Sequence, residues 1–187
     1  GADTTELCPT STFHREPIYV NGQSPDSTEV KRRLDQFWHS YHANLAQLIA
    51  EETVKYGTIL LFDAHSIGSE LPRFFDGRLP DFNLGTADGA SADTNLTERM
   101  FDILNRAEGY TASLNGRFKG GYITRHYGDP DAGVHAVQLE MAQVAYMDEE
   151  APYRLLPDRV DRVRPVLFEL LSTCLLYTSD AADEHSW

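Results

Sequence analysis

The stretch Thr58-Ile59-Leu60-Leu61-Phe62-Asp63-Ala64-His65-Ser66 decides how this chain is read. The apolar run Thr58 to Phe62 is too short for a free-standing helix and reads as a buried parallel strand. It stops at an Asp and a His, and a loop rich in Gly and Pro follows. A buried strand that delivers polar groups at its C-terminal end is how open α/β sheets present a site. His65 is expected where the chain leaves the sheet, either pointing into a crevice or hydrogen-bonded to backbone as an ordinary loop histidine.

Upstream, Asp26 or Ser27 is placed to cap a helix. Val30, Leu34, Phe37, Trp38, Tyr41, Leu45, Leu48 and Ile49 recur at helical spacing, and Gly57 ends the run. Such a helix of about 28 residues is ~42 Å long, with His39 and His42 near its stripe as structural residues. It feeds directly into the strand, an α-then-β unit. Downstream, Ser66 to Asp93 carries Pro72, Pro80, Gly68, Gly77, Gly85 and Gly89 and reads as a long irregular, functional loop. Asp93 or Thr94 caps a second helix with Leu96, Met100, Phe101, Ile103 and Leu104 inward. Tyr110 to Leu114 and Val134 to Met141 read as further strands, and Arg159 to Leu171 as a last amphipathic helix with Pro165 inside it. The acids Asp148, Glu149 and Glu150 read as a solvated face.

Length and composition fit one globular domain: 187 residues, 41% apolar and 24% charged. The formal net charge of −13 argues against nucleic acid and anionic membrane as partners and leaves a small-molecule substrate. Two cysteines outside any Cys-x-x-Cys pair favour a reducing, cytoplasmic setting. The stretch from Cys174 to Glu184 looks like a translated sequencing-library adapter. Residues 1–173 are therefore expected to form the natural, partial domain and 174–187 a non-native tail. With no initiator Met, the chain is expected to begin partway through a protein. Oligomeric state is not legible.

Three strand ends deliver polar groups: Asp63 with His65, the run from Asn115, and Glu140. In a parallel sheet those ends share one edge. A neutral imidazole is a standard zinc ligand, and a carboxylate opposite it acts as general base on bound water. A cation among glycines clamps a substrate carboxylate, ideally through Arg. No spacing rule selects His126 or His135 as further ligands, and no His-Glu-x-x-His or Gly-x-Ser-x-Gly frame is present.

Four stretches carry a resemblance: Asp63-Ala64-His65-Ser66; Pro72-Arg73-Phe74-Phe75-Asp76-Gly77-Arg78-Leu79-Pro80-Asp81-Phe82-Asn83-Leu84-Gly85-Thr86; Asn115 through Gly128 (Asn-Gly-Arg-Phe-Lys-Gly-Gly-Tyr-Ile-Thr-Arg-His-Tyr-Gly); and His135-Ala136-Val137-Gln138-Leu139-Glu140. Over roughly residues 7 to 171 the sequence resembles the zinc-dependent N-formylglutamate amidohydrolases, or N-formylglutamate deformylases. The resemblance implies an α/β fold like that of the zinc exopeptidases (phosphorylase/hydrolase-like), three layers with a mostly parallel mixed sheet, incomplete at the N-terminus. It implies His65 as a zinc ligand and Glu140 as the carboxylate that activates zinc-bound water. Arg125, with Asn115 and Arg117, would hold the substrate's carboxylates. The implied reaction is hydrolysis of N-formyl-L-glutamate to formate and L-glutamate, in histidine degradation. The family's upstream motifs, which carry its other two zinc ligands, do not occur here, so the chain alone is expected to bind zinc poorly and to be inactive. A related metallohydrolase acting on another N-acyl or peptidyl amino acid, or a non-catalytic binder of acidic amino acids, are the competing readings.

Overall fold

Two helices begin at an aspartate that caps them, Asp26 and Asp93. The computed structural model describes residues 6–184, with side chains through residue 178. They fall into two compact units, residues up to 48 with 70–78, and residues 49–69 with those from 79 onward.

In the first unit, Asp26 caps α1 (Ser27–Arg33), its carboxylate accepting from the Glu29 amide at 2.8 Å. A π-helical turn, Leu34–Trp38, joins α1 to α2 (His39–Tyr56), so the predicted long helix forms, with one wide turn inside it. None of its residues is buried, and Phe37, Tyr41 and Leu48 of the apolar stripe are exposed. Arg73 donates to Ser11 Oγ at 3.0 Å and to the Thr12 carbonyl at 2.7 Å, tying the N-terminal loop to residues 70–78.

The second unit is built on a four-stranded sheet of order β1-β4-β2-β3: β1 (Ile59–Ile67), β2 (Phe82–Gly85), β3 (Ala112–Leu114) and β4 (Val134–Ala142). β1 pairs parallel with β4, β2 pairs parallel with β3, and β2 runs antiparallel to β4. Its helices are α3 (Thr94–Asn105), α4 (Tyr122–Tyr127) and α5 (Pro157–Glu184). Asp93 caps α3, accepting from the Asn95 and Leu96 amides at 2.8 and 3.2 Å. Phe82, Leu84, Val137 and Leu139 pack with Leu96, Met100 and Leu104 of α3 and Val163 and Leu170 of α5, forming the core on one face of the sheet. α4 packs against β4 and β1. The expected α/β fold, an open mixed sheet flanked by helices, is what forms.

Four expectations need correction. Among the described residues β1 is an edge strand of partial burial rather than a buried one; the neighbouring β4 is buried at every residue but Met141. His65 lies inside β1 rather than beyond it, since pairing with β4 carries the strand on to Ile67. The Ser66–Asp93 section is not structureless: it contains β2, whose four residues are all buried. Finally, the strand ends do not share one edge, because β2 and β3 run opposite to β4. α5 runs without a break past residue 173, with Cys174 in the core, where burial pushes its thiol up to about 11. Residues 185–187 of the expected tail lie outside the described residues.

Candidate functional site

Strand alternation puts the chemistry on the face of the sheet opposite the core. Val137 and Leu139 of β4 turn into the core, so Gln138 and Glu140 turn away from it. Register then assembles two polar rows. His65 pairs with Glu140, which pairs with Asn83, which pairs with Ser113. One step back, Asp63 pairs with Gln138, and Gln138 with Gly85.

In the first row, His65 Nε2 lies 3.0 Å from Asp63 Oδ1, with the imidazole half exposed and Asp63 largely covered. A carboxylate held on one ring nitrogen fixes the ring's orientation and leaves the other nitrogen for a ligand. Glu140 is only 7% exposed. Burial pushes its carboxyl up to about 7; the neighbouring His65 offsets part of this and Asp63 adds to it. Asn83 is buried beside it, donating from Nδ2 to the carbonyls of Glu140 at 3.0 Å and Pro80 at 2.8 Å, and accepting from Ser113 Oγ at 2.9 Å. The Glu140 backbone is thus fixed by a side chain as well as by the ladder.

In the second row, Gln138 connects the carboxyl to the glycine-rich loop. Its Nε2 donates to Glu140 Oε2 at 3.4 Å, and its Oε1 accepts from the Gly121 amide at 2.7 Å. That loop lies flat on the sheet because Gly85 has no side chain: a Cβ there would sit 2.6 Å from Gly120 N. Arg125, exposed on α4, donates from Nη1 to the Gly120 carbonyl.

The other expected residues are placed differently. Asn115 follows β3 directly, and its side chain is already engaged. Oδ1 accepts from the Thr86 amide at 2.8 Å and the Asp88 amide at 3.4 Å, and Nδ2 donates to Thr86 Oγ1 at 2.9 Å. Its carboxamide holds the loop after β2. Arg117 is exposed, with no hydrogen bond or ion pair among the described residues. His126 is exposed and stacks on Tyr122 at 4.7 Å. His135 belongs to the core face: it accepts from the Asp93 amide at 3.1 Å and meets Tyr177 edge-on. Sequence reasoning misses Gln138 and Asn83. The signal for Gln138 is its spacing of two from Glu140 within an apolar strand; Asn83 needs the β2–β4 register.

Chemically, a carboxyl near 7 exchanges protons readily at neutral pH, beside an anchored imidazole. A tetrahedral zinc site requires three protein ligands and an open position. Among the described residues no group of three or more His, Cys, Asp or Glu is arranged to hold a metal ion, so they supply an incomplete donor set.

The N-formylglutamate amidohydrolase family matches residues 1–147. The N-formylglutamate deformylase of Pseudomonas aeruginosa is 49% identical over 174 residues, 93% of this chain and 65% of the relative. That of Pseudomonas putida is 47% identical over 177 residues, covering 95% and 66%. The chain thus spans just under two thirds of the length of these curated relatives. Among solved structures, the N-formylglutamate amidohydrolase of Ralstonia eutropha superposes with a TM-score of 0.68 at 25% identity, over 90% of this chain and 57% of that one. A structure from Agrobacterium tumefaciens, at 15% identity and a TM-score of 0.63 over 90% of this chain and 62% of that one, shares the fold. With its buried Glu140 facing His65 across a parallel strand pair, and with the family match running through both, the chain belongs to the N-formylglutamate amidohydrolase family.

Proposed function

We propose that this chain carries the proton-transfer side of a site that hydrolyses N-formyl-L-glutamate to formate and L-glutamate. The observation that supports this most is Glu140, buried, held from its backbone by Asn83, and raised to about 7 in register with His65. In this reading Glu140 takes a proton from the attacking water. Water oxygen bonds to the formyl carbon, the C–N bond breaks, and the proton passes to the departing amine. Arg125 and Arg117 supply cations for the substrate's two carboxylates, and Asn115 holds the loop from which Arg117 projects.

We further propose zinc as the metal, with His65 as one imidazole ligand. The described residues supply only part of the donor set that zinc needs. The names of the two Pseudomonas relatives support the substrate. A cytoplasmic setting and a place in histidine degradation belong to the same proposal. Two unpaired thiols, Cys8 and Cys174, are compatible with that setting. Among the described residues no helix is long and apolar enough to cross a membrane.

The test is a chimaera in which residues 1–173 of this chain replace the matching part of the Pseudomonas aeruginosa relative. Formate release from N-formylglutamate, lost on Glu140→Gln, is the expected result. An inactive chimaera beside an active parent, with both folded, would sink the proposal. The chain alone, assayed in parallel with added zinc, is expected to bind the metal weakly and to release no formate.

A further inference from the structure

The acidic cluster at residues 148–150 reads from sequence as a solvated face, and for Glu149 the structure overturns that reading. Glu149 is half-buried, and both carboxyl oxygens accept hydrogen bonds. Oε1 accepts from the Ser69 amide at 2.6 Å and from the Val144 amide at 3.0 Å; Oε2 accepts from Ser69 Oγ at 2.6 Å.

The two amides are not an arbitrary pair. The β1–β4 ladder runs in parallel register with His65 opposite Glu140 and ends with Ile67 opposite Ala142. Ser69 and Val144 each lie two residues past that last pair, Ser69 in the loop after β1 and Val144 in a 3-10 turn, Gln143–Ala145. Glu149 therefore bridges the two chains just beyond the last ladder pair, at the position where the strands diverge and their amides lose ladder partners. A second link lies nearby: Ser66 Oγ and Tyr146 OH are 2.8 Å apart. Arg159 anchors the bridging segment to α5, donating to the carbonyls of Val144 at 2.9 Å and Met147 at 3.3 Å.

We infer that Glu149 is a positioning residue: its carboxylate staples the ends of β1 and β4 together, four residues beyond His65 and Glu140, and so keeps that pair in register. Among the described residues β1 has a strand neighbour on one side only, so its C-terminal end is where the site's geometry is least supported by the sheet. The inference rests on the reading of His65 and Glu140 as the reacting pair.

The test uses this chain with Glu149→Ala and Glu149→Gln, and reads backbone amide hydrogen exchange with the NMR signals of the His65 ring. In Glu149→Ala, exchange at Ser69 and Val144 and at the last ladder residues should speed up at least about tenfold, as for loss of hydrogen bonds to a charged group. The His65 ring signals should move, and exchange at Ile59 to Leu61 should hold within about twofold. Glu149→Gln keeps Oε1 for both amides, and its Nε2 can donate to Ser69 Oγ, so it should stay within about threefold of wild type. Should the alanine variant not fold, Ser69→Ala removes the Oε2 contact alone; it should speed exchange a few-fold at the strand ends and leave Ile59 to Leu61 unchanged. Uniform acceleration along all of β1, unchanged His65 signals, or exchange in Glu149→Gln as fast as in Glu149→Ala would overturn the inference. In the active chimaera, kcat should fall about tenfold in Glu149→Ala with KM within about twofold. An inactive chimaera would count against the deformylase reading alone, because exchange and ring signals in this chain still decide the staple.

Discussion

Val137 and Leu139 face the core at 0% and 3% exposure, and Gln138 and Glu140, on the other side of the same strand, are almost as dry at 6% and 7%. What differs is what each face meets. The core face meets Phe82, Leu84, Leu96 and Met100, so its burial removes apolar area from water and stabilises the fold. The site face meets an imidazole, two carboxamides and the Gly121 amide. Polar burial costs free energy unless partners replace the lost water. Gln138 has both ends of its carboxamide engaged. Glu140 has its carbonyl fixed by Asn83, but among the described residues its carboxyl has only the long hydrogen bond from Gln138, and it is raised to about 7. One face of β4 holds the fold together; the other gives up stability to keep a carboxyl that exchanges protons near neutral pH.

The largest expected effect separates the two faces by function. Glu140→Gln in the active chimaera should lower kcat for formate release by roughly 10²- to 10⁴-fold, the range of a lost general base, while its far-UV circular dichroism stays that of the parent. Leu139→Ala, one residue away, should do the reverse. It should cost about 2–5 kcal/mol in urea unfolding, from the cavity left among Leu84, Leu96 and Met100, and leave the activity of the remaining folded molecules nearly intact.

The third prediction concerns pH. Glu140 has a folded value of about 7 against 4.5 for an unperturbed glutamate, so between these values the folded chain holds more protons than the unfolded one. Stability from this group is therefore complete below about 4.5 and is lost as pH rises through 7. Relative to wild type, Glu140→Gln should be more stable by about 1–3 kcal/mol at pH 8, allowing for partial solvent screening, and should show no such gain at pH 4. Taking the difference between the two proteins removes His135, whose burial lowers its affinity for a proton and acts in the opposite sense. An equal gain at both pH values would mean that packing rather than ionisation separates the variants. In the chimaera, the rising limb of kcat/KM should fall near pH 7.

Much of the core face is legible in the sequence, and little of the site face. The runs Thr58 to Phe62 and Val134 to Met141 are apolar enough to announce strands. The helix stripe at Leu96, Met100, Ile103 and Leu104 announces what packs on them. β2 escapes a linear reading because Phe82-Asn83-Leu84-Gly85 is four residues long and set among Pro and Gly, where turn signals outweigh alternation. Strand direction leaves no mark on periodicity, so the expectation that Asn115 shares an edge with His65 and Glu140 has no local check. Glu149 misleads for a related reason: an acid between two other acids looks solvated until the partners across the fold, Ser69 and Val144, are known. Residues whose role depends on register are the ones a linear reading loses.

Two loop residues refine the contrast further, because both read from sequence as substrate contacts and the structure gives them unlike surroundings. Asn115 sits at φ 50 and has its side chain committed to Thr86 and Asp88. Asn115→Ala should cost about 1–3 kcal/mol, from an amide left unpaired and a left-handed backbone position that alanine resists. Arg117 is exposed and uncommitted among the described residues, so Arg117→Ala should change stability by less than about 0.5 kcal/mol. If its guanidinium meets a substrate carboxylate, the effect will show in binding alone, as a rise in KM of about tenfold with kcat within about twofold. Arg117→Lys keeps the charge but not the paired donors, and should avoid only part of that loss. A KM unchanged in Arg117→Ala would take this residue out of the site and leave Arg125, on the helix that Gln138 ties to Glu140, as the cation that matters.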